Sequence, residues 1–220
     1  MTFEDCQFLW EQHPFTKTKK YRRSLVRLNY KEGELLYKYG AHAQESIVEL
    51  GRWYGGSTFL LSASSSTPVY SVDVMSLAKR KEWILKHQRD KTWRGHIYPY
   101  YGDVNNINMQ DKLSAFGDRL SLIDKKTTDV NIGIDIPNKY DFLFIDGDHS
   151  WNGITTDLNY YWDSATKYIA IHDYHELKHG EHVFKAVNVL LKNNNAKIVE
   201  QEDTLVILQK ELSKCLEKLQ

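Results

Sequence analysis

Two short stretches hold most of the residues able to do chemistry. Asp146-Gly147-Asp148-His149-Ser150 follows the apolar run Tyr140–Ile145, and His172-Asp173-Tyr174 follows the apolar run Tyr168–Ile171. If the two runs are neighbouring parallel strands, Asp146 and Asp173 stand side by side at their carboxyl ends. Two carboxylates with water make a hard-ligand site that suits Mg2+ before Ca2+ or Mn2+. An ion there would hold a hydroxyl, lower its pKa and aim its oxygen at an electrophilic carbon. A single aspartate would read as a strand-end cap, but five polar groups at two strand ends favour a site.

The second constellation is Glu49-Leu50-Gly51-Arg52-Trp53-Tyr54-Gly55-Gly56-Ser57-Thr58. A strand ending here delivers Glu49 and Gly51 to the edge where open α/β sheets bind ligands. Its glycines let the backbone approach a ligand, and Ser57-Thr58 open a helix whose free N–H groups can meet an anion. Asp73 ends the next apolar run, 22 residues after Gly51, where a carboxylate can accept both ribose hydroxyls of an adenosine cofactor. That geometry alone suits NAD and S-adenosylmethionine equally. The spacing G-x-x-x-G-G, however, departs from the tighter pyrophosphate turn G-x-G-x-x-G. His175, His179 and His182 have neither cysteine partners nor an H-E-x-x-H pattern, which reads as a loop rather than a zinc site.

The elements that must position these groups are legible as alternating runs. Strands are expected at Ser46–Leu50, Val69–Val72, Leu120–Ile123, Tyr140–Ile145 and Tyr168–Ile171, with helices over Ser57–Ser62, Leu77–Gln88, Ile154–Trp162 and Val183–Leu191. Such alternation predicts parallel crossovers, hence a doubly wound, Rossmann-like α/β sheet of seven mostly parallel strands. Lys197–Glu200 and Thr204–Leu208, split by a short polar turn, predict a C-terminal antiparallel hairpin. The organisation expected is a helical elaboration over 1–45, one α/β domain over 46–210 and a surface helix over 211–220. Residues 74–118 are long for one crossover and rich in Lys and Arg, as a solvated helix face would be.

Bulk properties narrow the partners. The 220 residues carry 29 Lys+Arg against 29 Asp+Glu, so no general attraction to nucleic acid or an anionic membrane is expected. No apolar run reaches a membrane span, and Met1-Thr2-Phe3-Glu4-Asp5 lacks a signal pattern. Cys6 and Cys215 read as free thiols in a reducing compartment, so a cytoplasmic protein is expected. A partly apolar N-terminal segment is suited to packing on a second copy in a homo-oligomer.

Taken in order, E-L-G-x-x-x-G-G-S-T at Glu49–Thr58, V-D at Val72-Asp73, D-F-L-F-I-D-G-D-H-S at Asp141–Ser150 and H-D-Y at His172–Tyr174 resemble the class I S-adenosylmethionine methyltransferases. The resemblance is to their small-molecule O-methyltransferase branch, with macrocin-type sugar enzymes and, more distantly, catechol enzymes. It covers roughly residues 32–208. It implies that Glu49, Gly51, Gly55, Ser57 and Asp73 line the S-adenosylmethionine pocket. Asp146 and Asp173 would ligate a divalent ion such as Mg2+, and Asp148 or His149 would be the general base for a small hydroxyl acceptor. His172 stands where metal-dependent relatives often carry a second acid. Asp124-Lys125-Lys126-Thr127-Thr128 matches no familiar adenine loop, so the adenine contacts stay unassigned. The competing expectation is a non-catalytic protein that keeps the fold and lends a surface to a partner.

Overall fold

Runs that are almost wholly apolar become strands covered on both faces. Ile47–Leu50 and Tyr140–Ile145 are buried at every residue, the pattern of central parallel strands. The computed structural model describes residues 1–11, 25–90, 108–177, 180–194 and 196–211. Its elements begin with α1 (Phe8–Glu11), α2 (Tyr30–Gly40), β1 (Ile47–Leu50), α3 (Gly56–Ser64) and β2 (Val69–Asp73). There follow α4 (Leu77–Asp90), α5 (Met109–Ser114), β3 (Leu120–Asp124), β4 (Tyr140–Ile145) and α6 (Trp151–Tyr161). The chain closes with β5 (Ala165–Ile171), α7 (Glu181–Asn193), β6 (Ala196–Glu202) and β7 (Leu205–Lys210).

The seven strands form one sheet in the order β3-β2-β1-β4-β5-β7-β6. β3 through β5 run parallel, whereas β7 pairs antiparallel with both β5 and β6, as the C-terminal hairpin predicted. The chain moves outward from β1 to β3 and then returns to lay β4 on the other side of β1. The strand order therefore reverses between β1 and β4, and the crevice at their carboxyl ends is where such sheets bind ligands. In register, Leu50 stands beside Val72 on β2 and Ile145 on β4, so Gly51, Asp73 and Asp146 leave the sheet together.

The two faces are covered by different parts of the chain. One bears α6 and α7, through Ile154, Leu158, Val183, Val187 and Leu190. The other bears α2 and α3 together with the N-terminal segment, whose Phe3, Cys6, Leu9, Trp10, Leu25, Val26 and Leu28 are buried in the same core. At about 1.5–3 kcal/mol for each large apolar side chain removed from water, that segment is a substantial part of the fold. Among the described residues of 74–118 there are two α-helices, α4 and α5; residues 91–107 lie outside the described residues, as do His179, Cys215 and all but Glu211 of the tail helix expected over 211–220. No described helix is long and apolar enough to cross a membrane.

Candidate active site

Gly51 ties the three central strands together at the switch point. Its φ of +97° is open to glycine, and a Cβ there would lie 2.2 Å from the Asp146 carbonyl oxygen. Its N–H donates to Val72 O at 2.9 Å, while the Asp146 N–H donates to Leu50 O at 2.8 Å. Gly55, with φ +95°, starts α3. Beneath this turn lies Glu49, fully buried, whose carboxylate accepts from Ser57 Oγ, Thr58 Oγ1 and Ser71 Oγ at 2.5 Å each. Burial pushes its pKa up against the pull of those hydroxyls and Arg52. Glu49 and Ser57 therefore brace the start of α3 against β1 and β2, under the cleft rather than on its surface.

Asp73, 7% exposed, is held by three donors. Oδ1 accepts from Met75 N at 2.8 Å and from the Arg80 guanidinium at 3.0 Å; Oδ2 accepts from Trp53 N at 2.9 Å. Oδ1 is thus filled, and Oδ2 keeps a lone pair for a ligand hydroxyl. Arg80 also lies over the Trp53 ring, 4.4 Å from its centroid. Arg52 is completely buried and clamps this edge, donating to Ser71 O at 2.7 Å and Met75 O at 3.0 Å and pairing with Asp124 at 2.5 Å.

At the other end, β4 and β5 bring Asp146 and Asp173 to one cluster with two histidines. His149 bridges the acids, with Nε2 3.2 Å from Asp146 Oδ1 and Nδ1 3.0 Å from Asp173 Oδ2. His172 is buried, with Nδ1 3.0 Å from Asp146 Oδ1 and Nε2 3.6 Å from Glu32 Oε2 on α2. Burial opposes charge on all four groups, but their mutual contacts outweigh it. Both imidazoles are held well above the usual histidine value, and both aspartates below the usual carboxylate value. Asp173 itself has φ +57°, a left-handed conformation that aspartate tolerates and that turns its carboxylate towards His149. Glu32 is anchored in turn by Thr204 N at 3.0 Å and Thr204 Oγ1 at 2.7 Å.

Asp148 takes a different role. Its carboxylate accepts from Ser150 N at 2.9 Å and Ser150 Oγ at 3.0 Å, organising the turn that caps α6. Among the described residues, Asp146, His149 and Asp173 form the one His/Cys/Asp/Glu group able to hold a metal ion, with ligand atoms all within 4.8 Å of one another. His175 is half-buried and accepts from Leu177 N at 3.1 Å, and His182 is exposed on α7; neither joins the cluster.

A cleft of about 610 Å³ runs between the two ends. Gly51, Asp73, Asp146 and Asp148 line it; Glu49, Gly55, Ser57, His149 and Asp173 do not. Three of its walls had no role assigned from the sequence: Trp53 with Arg80, the loop from Lys125 to Thr128, and Asp157 on α6. Asp157 carried a signal, since on a helix whose Ile154 and Leu158 are core residues it is a buried acid without a motif. Glu32 carried only the signal of a capping box, Asn29 N donating to its Oε2 at 2.8 Å, and nothing of its contacts with His172 and Thr204, more than 100 residues away.

A family model described as a methyltransferase domain matches residues 48–174. An uncharacterized protein of Acanthamoeba polyphaga mimivirus is 36% identical over 158 residues, covering 69% of this chain and 61% of that protein. The chain thus spans less than two thirds of that relative. Among solved structures, the O-methyltransferase NovP aligns at a TM-score of 0.62 and 13% identity over 94% of this chain and 96% of its own. An O-methyltransferase from Bacillus cereus in complex with SAH aligns at 0.59 and 13% identity, over 84% and 82%. TomG from Streptomyces achromogenes, an O-methyltransferase in complex with SAM, aligns at 0.56 and 12% identity, over 84% and 81%. At such identities the likeness is one of fold.

Proposed function

Because the chain belongs to the methyltransferase-domain family, we propose that it transfers the methyl group of S-adenosylmethionine to a hydroxyl of a small molecule. One observation carries the reading: a single cleft is lined both by Asp73, an acceptor suited to a ribose hydroxyl, and by Asp146, through which it reaches the Asp146–His149–Asp173 cluster behind its wall. A cofactor seated on Asp73 and passing over Gly51 would present its sulfonium at that cluster. The acceptor oxygen attacks the methyl carbon in line, the new C–O bond forming as the C–S bond breaks, and the hydroxyl proton is lost to a base. His149 is better sited for that proton than Asp148, whose oxygens are engaged by Ser150. The His149 nitrogens both face carboxylates, which favour the imidazolium, so it acts as a base only once one nitrogen has released its proton.

Two carboxylate oxygens and an imidazole nitrogen fit a divalent ion, and the nitrogen moves the preference from Mg2+ towards Mn2+ or its heavier neighbours. When bound, such an ion would supply Lewis-acid activation of the acceptor hydroxyl. The balanced charge favours a small acceptor over a polynucleotide.

The reading is tested by calorimetric titration with S-adenosylmethionine, then by transfer of a labelled methyl group to a panel of hydroxylated sugars and phenols. Micromolar binding and labelled ether products are expected. Absence of binding overturns the proposal, and binding without turnover of any acceptor supports a non-catalytic role for the fold.

A further inference from the structure

Glu32 is an acid wholly buried in the fold, and no motif of the cleft accounts for it. It stands in the first turn of α2 and is held from two sides. Oε1 accepts from Thr204 N at 3.0 Å and Thr204 Oγ1 at 2.7 Å; Oε2 accepts from Asn29 N at 2.8 Å. Oε2 also lies 3.6 Å from His172 Nε2. Burial opposes its charge, but the His172 ring and these donors hold its pKa below the usual glutamate value. A helix cap alone needs no such buried charge, since an exposed glutamate closes a capping box equally well.

The His172 ring shows where the charge is directed. It is 4% exposed, with Nδ1 3.0 Å from Asp146 Oδ1. Nε2, facing Glu32, has no hydrogen-bond partner among the described residues. The imidazole therefore lies between two carboxylates, held by the inner one and drawn by the outer one. Removing the outer charge changes how far the ring leans on Asp146. Asp146 is one of the three groups able to hold an ion, and partners behind such groups fix their direction and strengthen their hold. A negative charge behind the cluster also attracts a dication directly. On the reading of Asp146, His149 and Asp173 as a divalent-ion site, we propose that Glu32 is a positioning residue for it. Acting through His172, it fixes the direction of Asp146 and tightens the cluster's hold on the ion, although it lies outside the matched residues 48–174.

The test titrates Mn2+ calorimetrically into the full chain, wild type against Glu32→Gln and Thr204→Val. Glu32→Gln removes the charge at nearly constant volume. It should weaken Mn2+ binding roughly 10- to 100-fold and leave the Kd of S-adenosylmethionine unchanged. Thr204→Val loosens the tether of the same carboxylate to the hairpin turn but keeps its charge, and should lose far less. Unchanged Mn2+ affinity in a folded Glu32→Gln protein overturns the assignment. Equal losses in both variants overturn it too, since a merely structural tie would weaken both alike. Should Glu32→Gln not unfold cooperatively, Glu32→Asp carries the test. It keeps the acid but draws it back from His172, so weaker Mn2+ binding is expected and unchanged affinity again overturns the proposal. If the wild type takes up no Mn2+, the assignment falls with the ion site it rests on, whereas S-adenosylmethionine binding by the same protein reports separately on the methyltransferase reading.

Discussion

At the scale of single residues, the two ends of the cleft make separable contributions. Asp73→Ala removes a charge-assisted acceptor and is expected to weaken S-adenosylmethionine binding by about 1–3 kcal/mol, read as a change in Kd. An unchanged Kd would detach Asp73 from the cofactor. Asp146→Asn should abolish calorimetric binding of Mn2+ while leaving a cooperative unfolding transition, because the backbone N–H that ties Asp146 to Leu50 O is untouched. Persistent Mn2+ binding would remove Asp146 from any metal site. The sequence made Asp73, Asp146 and Asp173 legible because a strand end fixes where its last carboxylate goes. It could not say that Asp148 turns back to Ser150, or that Glu49 points under the turn, since one residue's difference in direction decides both. The bridging of both acids by His149 was equally hidden, because it depends on the spacing of two strands.

At the scale of elements, legibility followed burial. β1, β4 and the buried end of β5 were readable as runs broken at most by one acid, Glu49 or Asp141, and α3, α4, α6 and α7 fall where the intervening periods put them. The short helix α5 went unread because six residues carry less than two turns of period. Arg52 was also missed: a charged residue inside a glycine turn looks solvated, yet it is wholly buried and joins the ends of β2 and β3. Arg52→Met should therefore leave the Ser71 and Met75 carbonyls without their donor and cost roughly 1–3 kcal/mol of stability. Denaturant unfolding measures it, and a loss below a few tenths of a kcal/mol would show that water replaces the guanidinium. Gly51→Ala acts differently, since the added carbon meets backbone rather than a side chain that can swing away. It should separate β1 from β4 and abolish cofactor binding.

At the scale of the whole molecule, a single buried acid sets a pH dependence. The folded protein raises the Asp157 pKa from 3.8 to about 6, so it binds this proton more tightly than the unfolded chain does. The contribution is complete below about 3.8 and is lost as pH rises through about 6. Asp157→Asn escapes the cost of ionisation and should gain on the wild type by up to roughly 3 kcal/mol at pH 8, with no gain near pH 3. Denaturant midpoints for both proteins across that range check the prediction, and a gain that does not vary with pH would contradict it.

The contact between Glu32 and His172 reaches across the same whole. Glu32 belongs to α2, ahead of residues 48–174 that the methyltransferase-domain model matches, yet it meets His172 behind Asp146 and holds the β6–β7 turn through Thr204. A chain trimmed to the recognised domain would keep every motif and still lose the counter-charge behind its own acid cluster. The practical boundary of this protein is therefore electrostatic: the charge balance of the site closes at Glu32, upstream of where the matched domain begins.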